Sequence, residues 1–389
     1  MCALRLELLF ELISDKERVE WFEPSGVLFV YLSAAFFAYS SHIGAMEPPR
    51  KRAAIDNESL IIAPSTSAPK AAESSSSSPP PHTLVLEKGH TAAINRVSYS
   101  PSGSTLASAS KDCSIGLWRA HGDYSQYMLM RAAHKGGITA VSWVSDAALV
   151  TSSADGTLCL WDAESGTRVR RFVGHSGIVN DVAAATVGSG SFISVSDDGM
   201  ALMWDTRSRN HTHEFQQSGS RPLLAAAVSN SVNNVFIAGV GASISAFDAR
   251  RDTGVPVFEL SGHTDTVLSV ALAPDGTHLI SFGLDNVLSA WDVRPFALDS
   301  AHSRSSRMFL GSVNNFELNK IGCAFSCDGL TVAAGSSDGA ARVWNFDTAA
   351  LVGVLPGHAG ACVSVAFADD GRIATSGTDR RIYVGKYEA

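Results

Sequence analysis

The chain has 389 residues, 45% of them hydrophobic and 17% charged, with 33 glycines and a formal net charge of −8. This balance suits a soluble, glycine-rich all-β fold and excludes a disordered polyelectrolyte. Residues 83–389 carry 23 Lys and Arg against 28 Asp and Glu, which argues against salt-driven nucleic-acid binding over the whole surface.

Residues 1–45 contain a 14-residue apolar run at 26–39, too short for a comfortable membrane span. Glu7, Glu11, Asp15, Glu17, Glu20 and Glu23 precede it, where a secretory signal would have a basic start. We expect the native chain to begin at Met46, with residues 1–45 joined to it by an error of gene structure; a membrane anchor and an interaction helix are the other readings. Residues 46–82 are dominated by Ser, Pro and Ala, with five serines at 74–78, and are expected to be a disordered tail because they cannot bury a core. Arg50, Lys51 and Arg52 read either as a nuclear-import signal or as charges of a solvated tail.

From residue 83 onward one aromatic slot returns six times, at Trp118, Trp161, Trp204, Phe247, Trp291 and Trp344, with gaps of 43, 43, 43, 44 and 53 residues. A self-similar period of this length marks an array in which each unit is one small sheet that cannot bury both faces alone. Six residues before the slot stand Asp112, Asp155, Asp198, Asp285 and Asp338, and 21 to 23 residues before the first four of these stand His90, His134, His175 and His263. The intervening apolar segments alternate with period two and are separated by turn residues, so they read as short strands. Alternation places Ser108, Thr151, Ser194, Ser281 and Thr375 at one equivalent strand position.

Seven outer strands are predicted at about 83–87, 127–131, 168–173, 211–216, 255–260, 307–310 and 351–355. The last repeat supplies only three strands (362–367, 373–376 and 381–384) before the chain ends, so its missing outer strand is expected from 83–87. Pairing both ends of the chain in one sheet removes a free edge. The reading is a seven-bladed β-propeller over residues 83–389, closed by an N-terminal outer strand.

Three blades depart from the pattern. Blade four has Gly219, Gly241 and Phe247 in the His, Asp and Trp slots; blade six has Phe316 and Ala334 in the His and Ser/Thr slots; blade seven has Gly385 in the Trp slot while keeping His358 and Asp379. These blades are expected to be softer. The 53-residue gap holds an insertion at 294–307, read as a surface loop that either is merely tolerated or docks a partner.

A Ser, a His and an Asp together would suggest a hydrolase triad, but a triad is one site and this set repeats around the ring. The residues read instead as pins for turns, since each unpaired buried polar group costs about 1–3 kcal/mol. No phosphate-cradling loop, metal-ligand pair or isolated nucleophile is present. Cys323 and Cys327 have no second pair to make a zinc site, and together with Cys2, Cys113, Cys159 and Cys362 they read as reduced, largely buried thiols of a reducing compartment. No enzyme, cofactor or metal is expected.

The Gly-His, Asp and Trp-Asp pattern resembles the WD40 family over residues 83–389. In that family His, Ser or Thr, Asp and Trp form a buried hydrogen-bond chain, which implies four tetrads: His90, Ser108, Asp112 and Trp118; His134, Thr151, Asp155 and Trp161; His175, Ser194, Asp198 and Trp204; His263, Ser281, Asp285 and Trp291. The segments 291–297, 314–320 and 355–360 resemble the WD-repeat subunits of the spliceosomal U5 small nuclear ribonucleoprotein. That resemblance implies a nuclear, non-catalytic scaffold in pre-mRNA splicing. It implies a monomer within a large complex, contacting the large central splicing protein and the helicase and GTPase subunits, with RNA only at the periphery and no membrane. For partner binding the repeat pattern places Asn95, Lys111, Thr139, Asn180, Asp197, Leu268 and Ile321 on the top rim, a mixed polar and apolar surface suited to protein. Trp204-Asp-Thr-Arg207 and Trp291-Asp-Val-Arg294 resemble the motif by which ubiquitin-ligase substrate receptors dock on a cullin adaptor. The plainer reading is that Arg207 and Arg294 cap a turn and pair with the nearby Asp; a generic signalling scaffold is the third alternative.

Overall fold

The computed structural model describes residues 84–386 apart from 186–189, 218, 230–232, 252–253, 295–303 and 316–318. The described residues form seven four-stranded antiparallel sheets and no helix. Blade one is the meander Ile94–Tyr99, Thr105–Ser110, Ile115–Arg119 and Gln126–Met130. The same meander recurs from Ile138–Ser145 to Arg168–Val173 in blade two and from Val179–Ala184 to His213–Gln216 in blade three. Blades four, five and six run from Leu223–Val228 to Phe258–Ser261, from Val267–Leu272 to Ser305–Phe309 and from Cys323–Phe325 to Leu351–Pro356.

The hairpin joining the second and third strands of a blade needs a left-handed residue right after the recurrent Asp. Gly156, Gly199 and Gly339 supply it at φ of 76°, 78° and 84°, where glycine pays no Cβ penalty. Cys113, Asn286 and Arg380 accept the same conformation at φ of 64°, 63° and 68°, a region uncommon for residues with a side chain.

A blade alone leaves both faces of its sheet apolar, and the core lies between blades. One buried cluster joins Ile115 and Leu117 of blade one to Ile138, Leu149 and Trp161 of blade two; the next joins Leu158 and Phe172 to Phe192 and Trp204. Five more continue the ring, the last packing Leu86, Ile382 and Val384 against Leu106 and Trp118. Leu84–Leu86 pairs antiparallel with Ile382–Lys386, Leu84 facing Val384 and Leu86 facing Ile382. The N-terminal strand is therefore the outer strand of blade seven, and the ring is closed.

Several expected boundaries shift. The outer strand of blade five starts at Ser305, so the insertion ends at Arg304, because pairing with Trp291 recruits its last residues into the sheet. The outer strands of blades three and four begin at His213 and Phe258, later than 211 and 255, because their first residues remain in the preceding turn. Cys159, Cys323 and Cys362 are buried as free thiols, whereas Cys327 is exposed, since it lies in a hairpin after its strand ends at Phe325. The readings for residues 1–45 and 46–82, the slot of Phe316 and residues 295–303 of the insertion lie outside the described residues.

Candidate functional site

In blade three the Trp204 indole N–H donates to Ser194 Oγ at 2.8 Å, Ser194 Oγ is 2.7 Å from His175 Nε2, and His175 Nδ1 is 2.9 Å from Asp198 Oδ2. The direction of this chain follows from its ends. Indole can only donate and a carboxylate can only accept, so His175 Nδ1 carries a proton; burial, which lowers the His175 pKa, favours the neutral ring, whose Nε2 then accepts the Ser194 hydroxyl. Blade five repeats the geometry with His263, Ser281, Asp285 and Trp291 at 2.8, 2.7 and 2.7 Å. In blades one and two the His–Ser/Thr and Trp–Ser/Thr contacts of His90, Ser108 and Trp118 and of His134, Thr151 and Trp161 lie between 2.7 and 3.0 Å. There the imidazoles stand 3.5 and 3.4 Å from Asp112 and Asp155, and Ser114 and Thr157 bridge the gap, the latter with a long contact to His134 of 3.5 Å.

Each Asp also fixes two loops. Asp198 accepts the amides of Ser176 and Met200 at 2.9 Å each, and Asp112 accepts those of Thr91 and Ser114 at 2.7 and 2.9 Å. The loop entering a blade and its central hairpin are thus tied at one carboxylate, which positions the upper rim.

Burial holds His90, His134 and His175 below the ordinary imidazole value, with the neighbouring Asp opposing the shift. The Asp112 carboxyl is lowered to about 2, its hydrogen bonds from Ser114 and Thr91 outweighing the opposing effect of burial. A depressed folded-state pKa gives stability that is complete above the unfolded value and is lost as pH falls. The melting temperature is therefore expected to hold from pH 8 to 7, to decline below about 6.5 as the unfolded histidines take up protons, and to drop again below about 4 as Asp112 does. Scanning calorimetry across pH 8 to 3 checks this; a flat profile between pH 7 and 5 would contradict it.

The departing blades have substitutes that the repeat pattern concealed. In blade six Ala334 pairs with Arg342 where blade one pairs Ser108 with Gly116; the Arg342 guanidinium bonds Asp338 at 2.5 and 3.2 Å, a cation standing for the missing imidazole. In blade seven Tyr383 holds that same position and sets its ring edge-on to His358 at 4.5 Å, covering the face that a tryptophan would. In blade four Gln217 reaches the Ser243 carbonyl at 3.1 Å, and Phe247 packs on Phe215. A charged or aromatic residue two positions before the Trp slot, where the other blades carry Gly, Cys, Leu or Ser, is the available signal for Arg342 and Tyr383.

The seven expected rim residues divide. Lys111 and Asp197 are exposed. Asn95, Thr139 and Asn180 are partly buried and donate to the Ile138, Val179 and Leu223 carbonyls of the next blade at 2.6, 2.6 and 2.7 Å, so they stitch blades together. Leu268 and Ile321 are 5% and 0% exposed and belong to the core between blades five and six. These two do not form part of a rim: Leu268 on the innermost strand of blade five and Ile321, just before that of blade six, are buried against each other's blade.

Arg207 and Arg294 lie on the opposite side of their blades, in the turns after the third strands. Their amides and Nε atoms donate to Asp205 and Asp292 at 2.8 to 3.2 Å, and their side chains are 81% and 60% exposed. Arg250 makes the same Asx turn with Asp248. Such exposed pairs contribute about 0–1 kcal/mol.

A polar contact crosses the ring. Lys320, just before the innermost strand of blade six, places Nζ 2.9 Å from the Asn180 carbonyl and 3.3 Å from Asp181 Oδ2 on the innermost strand of blade three. Asp181 is 1% exposed, and its Oδ2 has no well-aligned hydrogen bond. No grouping of three or more His, Cys, Asp or Glu able to hold a metal occurs among the described residues, and no helix there is long and apolar enough to cross a membrane.

The model of the WD domain, G-beta repeat, matches residues 80–119, 126–162, 166–205, 254–292, 313–345 and 349–384. The unmatched interval falls on blade four, where the tetrad is replaced. The pre-mRNA-splicing factor cwf17 of Schizosaccharomyces pombe is 36% identical over 300 residues, 77% of this chain and 86% of that protein. The U5 small nuclear ribonucleoprotein 40 kDa proteins of Homo sapiens and Dictyostelium discoideum are 34% identical over 306 residues and 31% over 307, in each case 78% of this chain and 84% of theirs.

Proposed function

The chain belongs to the WD40-repeat family, and from that premise we propose that it is a non-catalytic scaffold of pre-mRNA splicing that works in the nucleus as a U5-type subunit. The observation that carries the reading is similarity to splicing proteins along most of the chain, at 31–36% identity and over 84–86% of their length. The geometry agrees with it. Where the tetrads occur, their Ser or Thr, His and Asp side chains are spent on one another and on backbone amides, leaving a rigid platform whose loops meet partners. The partners of this reading are the large central splicing protein and its neighbouring helicase and GTPase.

The test is affinity purification of the tagged chain from nuclear extract, with and without ribonuclease, followed by protein identification and probing for U5 RNA. Splicing proteins retained after ribonuclease are the expected result. Recovery of a cullin adaptor without splicing proteins would overturn it. The arginines separate the two: the Arg207→Glu, Arg294→Glu double variant is expected to keep every splicing partner, since each arginine is engaged by its own Asp.

A further inference from the structure

We propose that the outer edge of blade two, with its borders on blades one and three, binds the phosphate backbone of single-stranded RNA. Arg168, Arg170 and Arg171 lie on the outer strand Arg168–Val173. On one side a groove of about 580 Å³ is lined by Arg131, Arg168, Met128 and Trp161. On the other a groove of about 470 Å³ is lined by Arg170, Arg171, Arg209 and Val173. Five guanidinium groups are concentrated here on a propeller whose net charge is negative.

Of the described arginines ten have no carboxylate within ion-pair distance among the described residues, and five of those ten are gathered here. Arg207, Arg250, Arg251, Arg294, Arg307, Arg342, Arg372 and Arg381 each have a carboxylate within ion-pair distance. Among the described residues none lies within that distance of Arg131, Arg168, Arg170, Arg171 or Arg209. Of the acidic groups close in sequence, Asp162 is engaged by Ser165 and the Glu164 amide, Asp205 by Arg207 and Glu214 by His211, while Glu164 stands exposed four residues before Arg168. Arg170 is held by the Thr206 and Ser208 carbonyls at 2.8 and 2.9 Å, which fixes the border with blade three and leaves the other four to face solvent.

Arginine forks suit phosphate oxygens. An acidic peptide added to the strand edge would run along one line, whereas these side chains flank the strand in two grooves, which suits a flexible polyanion crossing the rim. Val169 and Val173, 59% and 66% exposed, and Tyr127 at 38% offer apolar and aromatic surface to ribose and base faces. The choice of RNA over DNA rests on the splicing reading; the phosphate site does not.

Fluorescence anisotropy of the purified full chain with a labelled uridine 20-mer tests the proposal. Binding is expected to weaken steeply with salt. The Arg168→Gln, Arg171→Gln, Arg209→Gln triple variant is expected to lose at least tenfold in affinity at low salt and about 2 in the logarithmic salt slope, at roughly 0.7 per phosphate contact. The charge-matched Arg250→Gln, Arg251→Gln, Arg294→Gln variant is expected to stay within twofold. Ultraviolet cross-linking of the wild-type chain, which needs no variant to fold, is expected to mark residues 127–131 and 168–173. No binding by the wild type, equal loss in the control variant, or cross-links elsewhere would overturn the site. Tighter binding of polyglutamate than of the uridine 20-mer would replace RNA by an acidic peptide, and preference for thymidine DNA would remove the choice of RNA. Failure here leaves co-purification with splicing proteins intact, so the two readings fail separately.

Discussion

A chain starting at residue 89 is expected to melt about 5–10 °C below the full chain, whereas one starting at residue 75 is expected to melt with it. The shorter chain lacks Leu84–Leu86, the strand that completes blade seven. Three consequences follow from that loss. Leu86, 8% exposed, leaves the cluster it shares with Ile382, Val384 and Trp118, at a cost of about 2 kcal/mol for one such side chain. The strand Ile382–Lys386 loses its outer ladder and becomes a free edge. The pair between Arg381 and Glu87 at 3.1 Å also goes, a minor term. A total of about 2.5 kcal/mol corresponds to the stated shift at roughly 2–4 °C per kcal/mol. The cut leaves His90 and its tetrad in place, so a large drop reports on closure. Equal melting temperatures for the chains starting at 75 and 89 would show that the seam contributes little; gel filtration should also reveal edge-to-edge dimers of the shorter chain.

The strands, their number and the closure were legible because a period near 43 residues, with Trp and Asp at fixed offsets, is a one-dimensional signal for a one-dimensional array. Alternation puts Ser194 at the strand position equivalent to Ser108 and Thr151, and its link to Trp204 comes from the resemblance to the WD40 family. What failed to be legible depends on neighbouring blades. Counting from the His slot gives height along a strand and so assigns Leu268 and Ile321 to the rim, while burial depends on the adjacent blade. Arg342 and Tyr383 were missed because their partners are defined by cross-strand register and not by the repeat consensus. The contact of Lys320 with Asp181 joins residues 139 apart in sequence, on blades three positions apart, and no periodicity signals it.

Lys320→Met is expected to cost about 2–3 kcal/mol, below the roughly 3–5 kcal/mol for removing one partner of a fully buried pair, because the Lys320 side chain is still 29% exposed. The loss arises mainly at Asp181. Its Oδ1 accepts the Val182 amide at 2.9 Å, but its Oδ2 then faces the interior without the Lys320 ammonium and without a hydrogen bond. Asp181→Asn is expected to cost less, since an amide carries no charge to desolvate and Lys320 keeps the Asn180 carbonyl at 2.9 Å. If the contact is a strut across the ring, the double variant should be more stable than the sum of the two losses predicts, with a coupling of about 1–2 kcal/mol. Denaturant unfolding of the four proteins measures that coupling directly. Additive losses would mean that Lys320 acts through its stem and the Asn180 carbonyl alone, and that blades three and six are held apart by the ring without this bridge.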